Sequence, residues 1–272
     1  MRPSAIVNAI FAYCLAAAAQ RYGILVHSFC VLSNHYHLVV TDVRGNLPAF
    51  EQYLNQLVAR AINASLGRWE NFWAPGSYSA VRLTCAGDIL EKAAYTLANP
   101  VAAGLVPRGE RWPGLWSRPD WIDRPSKQVR RPEGFFRKNG PMAESYPLAL
   151  VRPPCFETTE SFVSALREAL RRHEDAAHVK MRDSGRSFLG SKAVRRQSST
   201  ERPETREPRR GLNPRIAARD RWKRIEALLR LKQFTEAYRK ARDAFWAGAR
   251  DVVFPAGTYA LRLRFGVRCA SP

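Results

Sequence analysis

The chain has 272 residues, of which 46% are hydrophobic and 11% aromatic, enough apolar material for a core and too much for general disorder. No apolar run approaches the roughly 18 to 20 residues that span a bilayer, so an integral membrane protein is not expected. Forty-four Lys and Arg against 24 Asp and Glu give a net charge of +20, an excess that favours a polyanionic partner, nucleic acid first, because each neutralised phosphate releases condensed counterion.

Val7, Ile10, Phe11, Cys14, Leu15 and Ala18 recur at helical spacing and predict an amphipathic helix over Ile6 to Ala19, ended by Gly23. Ile24 to Leu32 and Tyr36 to Thr41 are β-rich around the turn-prone Ser33-Asn34 and predict a hairpin. Phe50, Leu54, Leu57, Val58 and Ile62 predict a second helix over Leu47 to Leu66. Phe72-Trp73 and Ala80 to Leu83 read as a short strand region, and Asp88 as the cap of a helix running toward Asn99, which Pro100 helps to end. The order α-β-β-α-β-α implies an α+β fold, helices packed on an antiparallel sheet.

Residues 1–120 hold ten basic and seven acidic groups, and the remaining 152 residues hold 34 and 17. The first part therefore reads as an ordinary globular unit, residues 1–122, and the rest as an electrostatic appendage. Pro113 to Pro154 is rich in Pro, Arg, Gly and Trp and favours extended loops, which places a domain boundary there. A basic linker over 123–210 contains a helix near 160–180, and its stretch from Lys180 to Arg210 reads as solvated. A C-terminal region over 211–272 is helical from Pro214 to Trp246 and ends in a half-buried strand, Thr258 to Val267, with Arg262 and Arg264 on its cationic face. The five cysteines, Cys14, Cys30, Cys85, Cys155 and Cys269, are scattered without a C-x-x-C pair and read as reduced thiols. No secretory signal is expected, and the location implied is cytoplasmic, at the nucleoid.

His35-Tyr36-His37 is the sharpest local signal. On a strand, alternation points both imidazoles to one face, where two neutral nitrogens can hold a divalent ion, while Tyr36 turns into packing. The plainer alternative is two partly exposed histidines on a sheet. Tyr95 and Asn99, four apart on a helix, project from one face, so a phenol can meet a metal ligand; a buried helix aromatic is the plainer reading of Tyr95.

The run Cys30-Val31-Leu32-Ser33-Asn34-His35-Tyr36-His37-Leu38-Val39-Val40, followed by Tyr95-Thr96-Leu97-Ala98-Asn99-Pro100-Val101-Ala102-Ala103-Gly104-Leu105-Val106, resembles the single-tyrosine HUH transposases of the insertion-sequence 200/605 type, closest to their REP-associated branch. The resemblance covers residues 5–120, and Phe72-Trp73 with Ser77-Tyr78-Ser79 also match a family stretch. It implies a ferredoxin-like HUH nuclease core, Mg2+ or Mn2+ held by His35, His37 and Asn99, and Tyr95 as the nucleophile that cleaves single-stranded DNA beside a hairpin through a 5′-phosphotyrosine. It also implies a homodimer. Arg82, Lys92, Arg108, Arg111 and Arg118 are the candidate nucleic-acid contacts, and the Arg-rich segments near Trp112, Trp116, Trp121 and Trp222 combine phosphate contact with stacking faces, unless those tryptophans serve packing.

The family's sheet begins with a strand before the first helix, whereas only Met1 to Ala5 precede that helix here; three explanations are open, a true start further upstream, a degraded copy, or another segment such as the Thr258 to Val267 strand covering the edge so exposed. Two rival readings remain open: a catalytically inactive DNA-hairpin-binding protein derived from such a transposase, and a metal-dependent phosphodiesterase that uses water and leaves Tyr95 without a role.

Overall fold

The computed structural model describes residues 1–74, 79–198, 215–258 and 260–271. The fold is α+β. Helix α1 (Ala5–Tyr22) starts where the Ser4 hydroxyl accepts from the Val7 N–H at 3.2 Å and stops at Gly23, whose φ of 67° lets its N–H reach back to the Ala19 carbonyl. Strands β1 (Ile24–Val31) and β2 (Tyr36–Asp42) form the expected antiparallel hairpin, with a bulge at His27 and Cys30 opposite His37. Asp42 then links strand to helix: its carboxylate accepts from the N–H groups of Arg44 and Leu47, and α2 (Leu47–Ser65) begins.

Helix α1 is buried on more than a stripe. One face, with Ile10, Phe11 and Leu15, meets the hairpin and α2; the other, with Ala12, Tyr13, Ala16 and Ala17, is covered by strands β4 (Lys127–Arg130) and β5 (Ser145–Leu148). The Tyr13 hydroxyl donates to the Ala143 carbonyl at 2.5 Å under that cover. Pro113 to Pro154 thus carries a second hairpin and is not loop throughout.

The expected third strand is reduced to β3 (Arg82–Leu83), which pairs in parallel with β6 (Ile216–Ala217) and does not join the hairpin. Phe72 and Trp73 are not in a strand. Among the described residues every sheet has two strands. Helix α3 (Ala86–Ala102) is capped at Cys85, not Asp88; Asp88 lies in the first turn, where it accepts from Thr84, Cys85 and the Arg219 N–H. The helix runs through Pro100, which sits in its last turn and forgoes one backbone bond, and it ends near Gly104 at φ 71°.

Helix α4 (Thr159–Asp183) packs along α3, and α5 (Ser191–Arg196) sets Val194 into the same core. One cluster of buried side chains runs from Val7 to Val194, across the boundary expected after residue 122. Residues 199–214, the end of the expected linker and the first residues of the expected C-terminal region, lie outside the described residues. Beyond them come α6 (Arg221–Trp246) and β7 (Val253–Phe254), then α7 (Ala260–Phe265) and β8 (Arg268–Cys269). The strand expected over Thr258 to Val267 is therefore a short helix where it is described. Leu261 alone of its alternating apolar residues is buried, against Ala241 and Phe254, while Leu263 and Phe265 are exposed; Tyr259 lies outside the described residues.

The outer edge of β1 is covered by other means. The Val31 N–H donates to the Leu115 carbonyl at 2.8 Å, Ser117 exchanges bonds with both backbone groups of Phe29, and the Val151 N–H reaches the Val26 carbonyl. Antiparallel geometry then turns the backbone groups of Leu38 and Val40 on β2 outward, opposite Phe29 and Val26, and neither has a backbone partner among the described residues. All five cysteines are free, and burial pushes the Cys14 and Cys30 thiols up. No helix among the described residues is long and apolar enough to cross a membrane.

Candidate active site

Alternation along β2 sends Tyr36 inward, its ring edge-on to Phe11 at 5.2 Å and its hydroxyl donating to Asn55 Oδ1 at 2.9 Å. His37 points the other way. His35 lies in the turn just before the strand, held there by the Leu32 N–H donating to its carbonyl, and its ring meets His37 with the two Nε2 atoms 3.1 Å apart. The Asn34 side-chain oxygen stands 2.7 Å from His35 Nδ1, which puts the proton on Nδ1 and leaves Nε2 as an acceptor.

Asn99 comes from α3 and is buried, its amide nitrogen 3.0 Å from His37 Nε2. If that amide donates, both imidazole Nε2 atoms are acceptors facing each other, a repulsive arrangement that a cation relieves. Turning the amide over puts its oxygen there instead and makes a third acceptor. Adjacent ligands on an octahedral ion with bonds of about 2.1 Å stand about 3 Å apart, and the spacings of 3.1 and 3.0 Å at His37 match. Burial, then His35 and Lys92, lowers the His37 pKa to about 4, and burial lowers that of His35, so both rings are neutral and able to ligate at pH 7. Among the described residues no group of three or more His, Cys, Asp or Glu assembles; the donor set is two imidazoles and an amide.

Tyr95, one turn before Asn99, is 40% exposed and lays its ring edge-on to His37 with centroids 5.7 Å apart. The Lys92 ammonium stands 5.0 Å from the centre of the Tyr95 ring. The four residues expected to act together are thus brought together. All but Asn99 line a cavity of about 640 Å³, with Lys92, Glu51 and Trp73 also in its wall.

Of the five expected nucleic-acid contacts only Lys92 lines this cavity. Arg82 is exposed on β3, with its N–H donated to the Arg215 carbonyl. Arg108 pairs at 3.4 Å with Glu174, a buried carboxylate that also accepts from the Gly109 N–H and so ties α4 to the end of α3. Arg111 and Arg118 are exposed away from the cavity. Trp112 and Trp116 are packing residues, buried with their indole N–H groups donated to the Val31 and Leu97 carbonyls; Trp121 is half-buried under the Lys127 ammonium, and Trp222 is exposed. Trp73 is pinned through its indole N–H to the Asn55 carbonyl, and Ser79 lines the cavity, whereas Ser77 and Tyr78 lie outside the described residues.

Three residues with no sequence signal join the site. Glu51 of α2 stands in the cavity wall. Arg219 and Arg224 line a second hollow against Lys92 and Tyr95, positioned by the β3–β6 pairing and by the ion pair of Arg219 with Glu91 at 2.8 Å. Comparison with known proteins adds no identification: no family model, no curated protein and no solved structure matches this chain.

Proposed function

We propose that this chain is a DNA transposase of the single-tyrosine HUH type, which cleaves and rejoins single-stranded DNA through a 5′-phosphotyrosine. The observation that carries the reading is that His35, His37 and Tyr95, from segments some sixty residues apart, line one cavity with Lys92, and that Asn99 stands behind them within hydrogen-bond distance of His37. The order α1-β1-β2-α2-β3-α3 corresponds to part of a ferredoxin-like HUH core, the two helices and the central hairpin, with no strand described before α1 and with β3 paired elsewhere.

His35, His37 and Asn99 would hold the ion, Mn2+ more readily than Mg2+ given two imidazoles; bound there, it neutralises charge on the scissile phosphate. Lys92 supplies a second positive charge at the same mouth. The Tyr95 oxygen attacks phosphorus and gives up its proton, the bond to the 3′-oxygen breaks, and that oxygen takes a proton to leave as a free 3′-hydroxyl. Attack by a 3′-hydroxyl on the phosphotyrosine reverses these steps and rejoins DNA without a nucleotide cofactor. Arg219 and Arg224 extend the positive surface beside Tyr95 for the flanking strand. A homodimer is part of the proposal, and the outward edge of β2 at Leu38 and Val40 offers two copies a place to pair.

Incubated with Mn2+ and a single-stranded oligonucleotide, the wild-type chain should form a covalent adduct that survives denaturing electrophoresis, and Tyr95→Phe should form none. An equal yield from Tyr95→Phe rejects the nucleophile. The two-stranded sheets favour one alternative, a DNA-hairpin-binding protein without cleavage, which predicts oligonucleotide binding and no adduct from the wild type.

A further inference from the structure

Glu51 is the most anomalous side chain at the cavity. It sits on α2 and lines the cavity, and its Oε2 is buried with no hydrogen-bond partner. No basic side chain pairs with it among the described residues. A carboxylate on a helix face ordinarily turns to water; a buried one without a partner signals a missing group. Burial pushes the Glu51 pKa up to about 8, so the side chain is mostly a neutral acid at pH 7, with one donor and acceptor capacity to offer.

Its surroundings say what kind of group is missing. One turn on, Asn55 spends Oδ1 on the Tyr36 hydroxyl and its carbonyl on the Trp73 indole, which fixes this turn of helix and leaves its Nδ2 hydrogens for a ligand. Phe72 and Trp73, packed edge to face at 4.7 Å, add aromatic surface to the same wall. A flat apolar body with a polar edge matches both features, and the neighbouring Tyr95 and Lys92 imply that a phosphate accompanies it.

We propose that the part of the cavity formed by α2, Phe72 and Trp73 is a pocket for one unpaired nucleobase of the single strand, with Glu51 hydrogen-bonding its edge. The proposal rests on the transposase reading and deepens it. The base seated there anchors the strand so that a neighbouring phosphate lies at Tyr95. Any base presents a donor and an acceptor to a neutral acid, so Glu51 holds a base without fixing its identity.

The test is binding in EDTA, which prevents cleavage, of a 15-mer of oligo(dT) and of a 15-mer of abasic deoxyribose phosphates, read by fluorescence anisotropy. Wild type should bind oligo(dT) about tenfold more tightly than the abasic chain. Glu51→Leu should weaken oligo(dT) about fivefold and leave the abasic affinity unchanged, and Glu51→Gln, which keeps a donor and an acceptor, should restore oligo(dT) binding. Equal losses on both oligonucleotides, or no loss on either, overturn the pocket while leaving the transposase reading in place. Failure of wild type to bind either oligonucleotide overturns both.

Discussion

A single proton position organises the candidate site: Asn34 draws the His35 proton to Nδ1, and that choice leaves a lone pair facing His37. The motif His35-Tyr36-His37 was legible in the sequence because both imidazoles are chemically distinctive and only two residues apart. Glu51 was not, since one acid on an amphipathic helix looks like any solvated charge, and only the packing of Trp73 and Asn55 around the cavity reveals its burial. Its proton has a measurable consequence. The folded state holds it up to about pH 8 whereas an unfolded chain releases it near the ordinary carboxylate value of 4.5, so over that window the folded state binds more protons and stability falls as pH rises. Glu51→Gln, which has no charge to desolvate, should match wild type in thermal melts at pH 4 and exceed it by about 10 °C or more at pH 8.5, the difference in protonation amounting to about 5 kcal/mol there. A variant less stable than wild type at pH 8.5 contradicts the buried, partnerless acid.

Among the elements, α1, the β1–β2 hairpin, α2 and α3 were legible because long apolar periodicity and Gly23 mark them locally. The edge of β1 was not, because what covers it comes from Leu115, Ser117 and Val151, far along the chain and without strand pattern. Of these residues Ser117 bonds through its side chain, accepting from the Phe29 N–H at 2.8 Å and donating to its carbonyl at 3.1 Å, fully buried. Ser117→Ala leaves that N–H unsatisfied and should cost about 1–3 kcal/mol in urea unfolding. A cost below about 0.5 kcal/mol would mean that the serine is not what closes the edge. Short alternating runs carry less information: Leu261, Leu263 and Phe265 fit a strand pattern as readily as the turn and a half of helix they form, and among the described residues no partner strand lies beside them to select the first. Pro100 was expected to end α3 and instead lies in its last turn, where one missing backbone bond is tolerated.

At the scale of the whole molecule, charge and core divide the chain at different places. The charge asymmetry places a boundary near residue 122, but Phe162 and Leu166 of α4 are fully buried in the cluster that holds α1 and the hairpin. A chain ending at residue 198 keeps that cluster and should stay folded, yet it lacks Arg219 and Arg224 beside Tyr95. Its affinity for single-stranded DNA should fall; in the full chain, Arg219→Ala combined with Arg224→Ala should by itself shrink the slope of log affinity against log salt by up to about 1.4, near 0.7 for each phosphate no longer neutralised. An unchanged slope removes those arginines from the DNA path. Tyr95, with its ring edge-on to His37 beside the His35–His37 pair, is the residue on which the whole reading turns. Peptide mass spectrometry of the chain after incubation with Mn2+ and a single-stranded oligonucleotide should find a DNA fragment joined through its 5′-phosphate to Tyr95, with the other product ending in a 3′-hydroxyl. Cleaved DNA with no fragment on the protein, or a fragment on any other residue, would contradict it.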